Sequence, residues 1–138
     1  MNIENITLNH SITIDEYNDL RASVDFITIR ENRARIALYT LIARENGRPV
    51  GMARVVGDGG YVYFICDVIV RPSHQSQGLG RYIIEHVLSW LESQVDEGET
   101  IMVNLMSALN KEPFYEKLGS HTRPFSDHGS GMSRWISR

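Results

Sequence analysis

Residues 64–83 have the sequence FICDVIVRPSHQSQGLGRYI, and the prediction of the fold starts from them. Residues 64–70 are almost all apolar and predict a buried strand, whereas residues from Leu79 onward predict a helix. The polar turn between them carries Gly78 and Gly80. A helix that begins there leaves its first backbone N–H groups without partners, at the positive end of the helix dipole. The stretch therefore predicts a main-chain anion site, with a glycine-tightened turn without ligand as the alternative.

Two common phosphate-binding motifs are excluded. The turn has no G-x-x-x-x-G-K-[ST] sequence, so it is not a Walker loop. Ile83 stands where a dinucleotide-binding fingerprint has its third glycine. Any anion held here is bound by backbone groups in a different kind of loop.

The rest of the chain predicts one mixed α/β domain over residues 1–138, without repeats or linkers. Thr13 and Glu16 have the spacing of a capping box, and Asn46-Gly47 is a hairpin turn signal. Helices are predicted at 14–24, 31–38, 79–94 and 113–119. Strands are predicted at 39–44, 50–56, 61–70, 100–108 and 132–136.

Composition and charge narrow the function classes. The net charge of −3 over 138 residues, without a basic cluster, argues against nucleic acid as a partner. No apolar stretch is long enough to span a membrane, and no signal peptide is seen at the N-terminus. Cys66 is the single cysteine, and the five histidines have no metal-ligand spacing. We expect a cytoplasmic protein without a metal site.

Two motifs in order resemble those of the GNAT superfamily of N-acetyltransferases. The first is QSQGLG at residues 75–80, preceded by strand residues and Pro72, and the second is FYEKLG at residues 114–119. The resemblance spans residues 39–119. It implies a mostly antiparallel mixed sheet with a splayed parallel strand pair, here 61–70 and 100–108, and flanking helices. It also implies acetyl-CoA as co-substrate.

The resemblance assigns the coenzyme contacts to two segments. The pyrophosphate is expected on the main-chain amides of Gln75, Ser76, Gln77, Gly78, Leu79, Gly80 and Arg81. The pantetheine arm is expected to pair with the backbone of Val68, Ile69 and Val70. Many members carry an asparagine seven residues before the motif's tyrosine, where this chain has Ala108. Asn110 or Asn104 could supply that contact instead.

Acetyl transfer to an amine needs a base for the amine, stabilisation of the oxyanion and an acid for the departing thiolate. We expect Tyr115 to be the acid, and its alternative role is to pack beside Phe114. Asp67 is the candidate base, but a buried, ion-paired Asp67 is an equal alternative, since strand alternation can turn it away from the acceptor. A water chain to bulk solvent could then take the amine proton.

These residues predict an N-acetyltransferase that acts on a small-molecule primary amine by direct attack in a ternary complex. One alternative is a non-catalytic acyl-CoA-binding or sensing domain of the same fold. The other is an unrelated α/β binding domain with a coincidental glycine turn. The acceptor amine has no motif in this sequence, and a homodimer is left open.

Overall fold

The structure is a computed structural model that describes residues 2–34 and 37–138. The chain forms two compact units, Met1–Leu105 and Met106–Arg138. The first unit contains the sheet and the long helix, and the second contains one short helix. The prediction of one domain over residues 1–138 stays a prediction.

The first unit is built on a five-stranded sheet with the strand order β1-β2-β3-β4-β5. The strands are β1 Ile6–Asn9, β2 Tyr39–Glu45, β3 Arg48–Gly57, β4 Val62–Val70 and β5 Met102–Leu105. Neighbouring strands are antiparallel except β4 and β5, which are parallel. This arrangement confirms the predicted fold class. Strand β1 was not predicted, because ITLN has only two apolar residues and lies at the sheet edge.

The β2–β3 hairpin forms at the predicted dipeptide. Asn46 and Gly47 have φ angles of 50° and 79°. Two successive positive φ angles are those of a type I′ turn, whose twist matches that of the strands. The sequence therefore sets this register correctly, with Glu45 opposite Arg48.

The helices lie close to their predicted positions. They are α1 Ile14–Ala22, α2 Glu31–Ala34, α3 Leu79–Ser93 and, in the second unit, α4 Glu112–Glu116. Helix α1 begins at the capping box of Thr13 and Glu16, with both reciprocal hydrogen bonds present. The prediction for residues 31–38 partly lies outside the described residues, and residues 37 and 38 are not helical.

Helices α1 and α3 cover opposite faces of the sheet. A Cβ atom on Gly51 would lie 2.7 Å from Cδ1 of Ile83, so the Gly51 side of β3 faces α3. The next residue, Met52, packs in a buried cluster with Tyr17 and Leu20 of α1 and with Ile69. Successive strand residues point to opposite faces, so β4 is packed from both sides before the chain enters the polar turn.

Two predictions about strands are wrong. The strand predicted over 100–108 is limited to β5, and its first two residues are exposed, because β5 is the edge of the sheet. The strand predicted over 132–136 is absent. Its large side chains Met132, Trp135 and Ile136 are 83–90% exposed. No ladder partner exists for this segment among the described residues, and apolar composition alone does not make a strand.

Candidate functional site

The polar turn between β4 and α3 has an unusual backbone. Pro72–His74 form one 3₁₀ turn, and Ser76 and Gly78 then have positive φ angles of 60° and 90°. Gly78 is the N-cap residue of α3. Left-handed residues in a tight turn at a helix start help to direct successive N–H groups toward one concave surface. The turn therefore has the conformation of an anion cradle.

The main-chain N–H groups of residues 76–81 donate to no acceptor within the described part of the chain. The preceding amides of His74 and Gln75 are used, since they donate to the carbonyls of Arg71 and Pro72. The amide of Tyr82 returns to the Gly78 carbonyl. Six consecutive donors are thus left at the positive end of a 15-residue helix. Gln75, predicted as the first donor, contributes no free amide.

The polar side chains of the turn hold its backbone in place. The Gln75 side-chain amide donates to the Val70 carbonyl at 2.9 Å, and that of Gln77 donates to the Ser73 carbonyl at 3.1 Å. His74 Nε2 lies 2.8 Å from a carboxylate oxygen of Glu45 on β2. These contacts explain why the turn is polar without lysine: the side chains fix the loop, and the backbone is left to bind.

Arg71 anchors the start of the same turn. Its Nε donates to the Pro49 carbonyl at 2.7 Å, and its guanidinium pairs with Asp19 of α1. Arg71 is buried, so this pair joins α1, the hairpin strand and the turn inside the first unit. Neither Arg71 nor His74 was predicted to take part in this turn's contacts. The available signal was an arginine directly after an apolar strand.

The second predicted coenzyme segment lies at the end of β4. The parallel ladder with β5 runs from Val62–Met102 to Ile65–Leu105, whereas β4 continues to Val70. The end of β4 therefore has no β5 partner. Ile69 is buried in the core, and Val68 and Val70 are half-buried. Ile69 lies opposite Met52 at a hydrogen-bonded position of the β3 ladder, two residues from the Arg71–Val50 bond, so its backbone groups face β3. The Val70 carbonyl already accepts from Gln75, so the backbone groups of Val68 are the better candidates for a ligand.

A β-bulge turns Asp67 toward α1. In the β3–β4 register, Met52 pairs with Ile69 and Arg54 with Cys66, so one residue of β3 opposes two of β4. Asp67 has a φ angle of 50°, which is uncommon for a residue with a side chain. Strand alternation alone would have placed it on the face opposite to Cys66.

Asp67 is half-buried, and its carboxylate is fully paired. One carboxylate oxygen accepts from Arg21 Nη1 at 2.6 Å, and the other accepts from Arg54 Nε at 2.8 Å and from the Tyr17 hydroxyl. The Asp67 side chain is 12% exposed. This geometry is that of the paired alternative, and it leaves no carboxylate oxygen without a donor. Arg54 was missed, although a charged residue inside an apolar strand was the signal.

Three side chains around Asp67 have raised pKa values. Burial, and then the hydrogen bond to Asp67, raises the pKa of Tyr17 to about 12. Burial, and then the charge of Asp67, raises the pKa of the Cys66 thiol. Burial lowers the pKa of Arg54, but the charge of Asp67 together with the neighbouring Tyr17 and Cys66 outweighs burial, and the net shift is upward. Tyr17 is therefore a protonated donor at neutral pH, and Cys66 is not an activated thiolate.

The second unit contains the predicted acid. Tyr115 is in α4, its ring 5.0 Å from that of Phe114 in an edge-to-face arrangement. Burial raises the pKa of Tyr115, which keeps the phenol protonated. Asn110 is exposed, in a turn with a φ angle of 66°, and Asn104 is half-buried on β5 opposite Phe64. Tyr115 and Asn110 thus belong to one unit, and the cradle and Asp67 to the other.

Within residues 2–34 and 37–138, no helix is long and apolar enough to cross a membrane. The same residues contain no group of three or more histidine, cysteine or acidic side chains that could hold a metal ion.

Comparison with known proteins supports the assignment from the motifs. A model of the acetyltransferase (GNAT) family matches residues 7–120. The chain is 33% identical to serotonin N-acetyltransferase 2, chloroplastic, of Oryza sativa, over 92% of this chain and 64% of that protein. It is 29% identical to an uncharacterized N-acetyltransferase of Pyropia yezoensis, over 83% of this chain and 68% of that protein. The chain thus spans about two thirds of the length of these relatives.

Solved structures show the same fold over nearly the whole chain. A probable acetyltransferase of Staphylococcus aureus aligns with a TM-score of 0.82 and 26% identity, over 95% of this chain and 99% of that one. A GNAT family protein of Streptococcus pneumoniae aligns with a TM-score of 0.78 and 27% identity, over 96% and 97% of the two chains. The predicted family and enzyme class are confirmed: the chain belongs to the GNAT family of acetyltransferases.

Proposed function

We propose that this chain is an acetyl-CoA-dependent N-acetyltransferase that acetylates a primary amine of a small molecule. The proposal rests on the row of six main-chain amides at residues 76–81, which donate to no group in the described part of the chain. A pyrophosphate offers several charged acceptor oxygens, and hydrogen bonds to charged acceptors are the stronger ones. The cradle also has open space for a ligand, since a Cβ atom on Gly78 would meet nothing within 4 Å.

The open end of β4 is the proposed site for the arm of the coenzyme. An extended chain with amide groups can add to a free strand edge by main-chain hydrogen bonds. Val68 directly follows Asp67 at the bulge, where the parallel ladder with β5 has already ended, and its backbone groups face the open edge. The coenzyme would thus lie between the cradle and the bulge, and the reactive thioester would be at the bulge end. Asn110 or Asn104 is the proposed further contact to the arm.

Acetyl transfer by direct attack in a ternary complex then needs proton transfers at two atoms. The amine nitrogen loses a proton, and the coenzyme sulfur gains one as the C–S bond breaks. Tyr115 is the proposed acid, because its phenol is protonated at neutral pH and a thiol with a pKa near 8.5 is the product. For the amine proton we propose water leading to bulk solvent, since the carboxylate of Asp67 is fully engaged.

In this family the first helix, the following loop and the C-terminal segment set the acceptor, and here the loop after α1 is partly apolar. Phe26 and Ile27 are 40% and 64% exposed, and Phe26 lies against the Arg21 guanidinium. Exposed apolar side chains beside the site favour an amine with an apolar group. The rice relative is named for serotonin, an arylalkylamine, and this class is the first to test.

Two measurements separate the proposed enzyme from the sensing alternative. Acetyl-CoA at about a hundredfold excess over its dissociation constant should stabilise the protein by ~2.7 kcal/mol. Thiol release should then be seen with at least one member of a panel of arylalkylamines, polyamines, amino sugars and a lysine peptide. Stabilisation without thiol release across the panel would favour a sensing domain. No stabilisation would refute coenzyme binding.

A further inference from the structure

The carboxylate of Asp67, at the β-bulge, is connected through two arginines to the loop that follows α1. Arg21 donates from Nη1 to Asp67 and from Nε to the Ile27 carbonyl at 2.6 Å. Arg54 donates from Nε to Asp67 and from Nη1 to the Ala34 carbonyl, at a longer 3.4 Å. Each guanidinium thus joins Asp67 to one end of residues 27–34, which we call the connecting segment.

The pairing leaves little freedom for these side chains. Arg21, Arg54 and Asp67 have 10%, 14% and 12% of their side chains exposed. A buried guanidinium that loses its carboxylate is an uncompensated charge and must move toward water. Removing the charge of Asp67 would therefore release two arginines together. Both arginines would then lose their hydrogen bonds to the connecting segment.

The bulge lies at this connection. Asp67 stands two residues before Ile69, which faces α1, and one residue after Cys66, which pairs with Arg54. The register shift and the αL backbone of Asp67 bring its carboxylate onto the α1 face, within reach of both arginines. A strained residue that persists at such a place needs support from its surroundings, and three donors provide it here.

We propose that Asp67 is a positioning residue for the amine acceptor and not the general base. Through Arg21 and Arg54 it holds the connecting segment, and with it the apolar loop beside the acceptor. The proposal rests on the proposed function, because it assigns the acceptor to this side of the sheet. The groups that face Asp67 in the described residues are Tyr17, Arg21, Arg54 and Cys66.

The decisive variant is Asp67→Asn, measured by steady-state kinetics across pH. A loosened acceptor side should raise KM for the amine about 10- to 100-fold, with acetyl-CoA affinity within about twofold of wild type. The low-pH limb of the kcat/KM profile should keep its apparent pKa. A base at Asp67 predicts the opposite: turnover falls about 10²- to 10⁴-fold, KM holds and the limb disappears. That result would overturn the proposal.

Two matched variants separate positioning from a general loss of stability. Asn18 holds the connecting segment from α1 without contacting Asp67, since its side chain bonds both the N–H and the carbonyl of Ile29. Asn18→Ala should therefore raise the amine KM in the same direction as Asp67→Asn. Glu16→Gln breaks another carboxylate–guanidinium pair of α1, with Arg44, and should leave the amine KM unchanged. A KM that rises equally in all three variants would contradict the proposal.

Tyr17→Phe is the milder test if Asp67→Asn does not fold. It removes one donor to Asp67 and keeps both arginines. Positioning predicts an unmoved low-pH limb. A base at Asp67 would lose a stabilising donor, and the limb would shift to higher pH, which would refute the proposal.

Hydrogen exchange gives a result that does not depend on activity. The amide of Ile29, bonded to Asn18, should exchange at least about tenfold faster in Asp67→Asn than in wild type. Unchanged exchange in a folded variant would overturn positioning even if no amine is ever turned over. The two proposals can fail separately. If the wild-type protein releases no thiol but the Asp67→Asn variant shows the faster exchange, only the proposed function is refuted.

Discussion

Replacing Gly78 with alanine changes the backbone freedom of the cradle without a clash inside the protein. Gly78 has a φ angle of 90°, and a Cβ atom there would meet nothing within 4 Å. The cost of the substitution is therefore conformational, and about 1–2 kcal/mol is typical for a residue with a side chain in a left-handed conformation.

That strain can appear in two quantities. If the loop keeps its shape, the free energy of unfolding falls by about 1–2 kcal/mol. If the loop relaxes, the cradle must be rebuilt on binding, and the same energy corresponds to about 5- to 30-fold weaker coenzyme binding. Because the loop is exposed, we expect most of the strain to relax and to appear in the dissociation constant.

Gly98→Ala is the matched control. Gly98 is exposed, has a φ angle of 83° and has equally open space at its Cβ position, but it lies in the turn after α3. Calorimetric titration with coenzyme A and urea unfolding should be run on both variants. Gly98→Ala should lose stability and keep wild-type affinity. If Gly78→Ala also keeps wild-type affinity with its fold intact, the left-handed backbone at residue 78 is not needed for binding and the reasoning is refuted.

Three further predictions concern turnover, packing and pH. Tyr115→Phe should reduce turnover by about 10²- to 10⁴-fold with little change in coenzyme affinity, and a variant that keeps half its turnover, with chemistry rate-limiting, would place the acid elsewhere. Gly51→Ala should lower the free energy of unfolding by about 1–3 kcal/mol, because the new Cβ would lie 2.7 Å from Ile83 and 3.2 Å from the Ile69 carbonyl; unchanged urea unfolding would contradict that packing. The hydrogen bond from Arg44 lowers the pKa of Glu16 from 4.5 to about 2, so its stabilising contribution is present above pH 4.5 and is lost as pH falls toward 2. Urea unfolding of Glu16→Gln should therefore show a shallower loss over that range, and parallel curves for the two proteins would count against the pair.

The sequence predicted the parts of the fold that are set by local patterns. Helix α3 has one apolar stripe, the capping box starts α1, and Asn46-Gly47 closes the hairpin. These signals depend on residues a few positions apart, so they are visible without tertiary information. The coenzyme turn was predicted for the same reason, because its glycines and the helix start are adjacent in the chain.

The features that were missed depend on distant parts of the chain. The partners of Asp67 come from α1 and β3, 46 and 13 residues away along the sequence. A bulge changes the side-chain alternation at one residue, and the periodicity of the sequence does not predict where it occurs. The segment 132–136 has the composition of a strand, but a strand also needs a partner, which composition does not supply. The cytoplasmic location and the oligomeric state of the protein stay predictions.

We propose that the main-chain amides of residues 76–81 hold the coenzyme pyrophosphate. The most direct test is amide NMR during a titration with coenzyme A, with pantetheine, which lacks the pyrophosphate, as the matched ligand. We expect the amide protons of residues 76–81 to shift downfield with coenzyme A and to saturate together. Pantetheine should leave their chemical shifts unchanged. Saturable binding of coenzyme A with these six resonances unmoved would show that the pyrophosphate is held elsewhere.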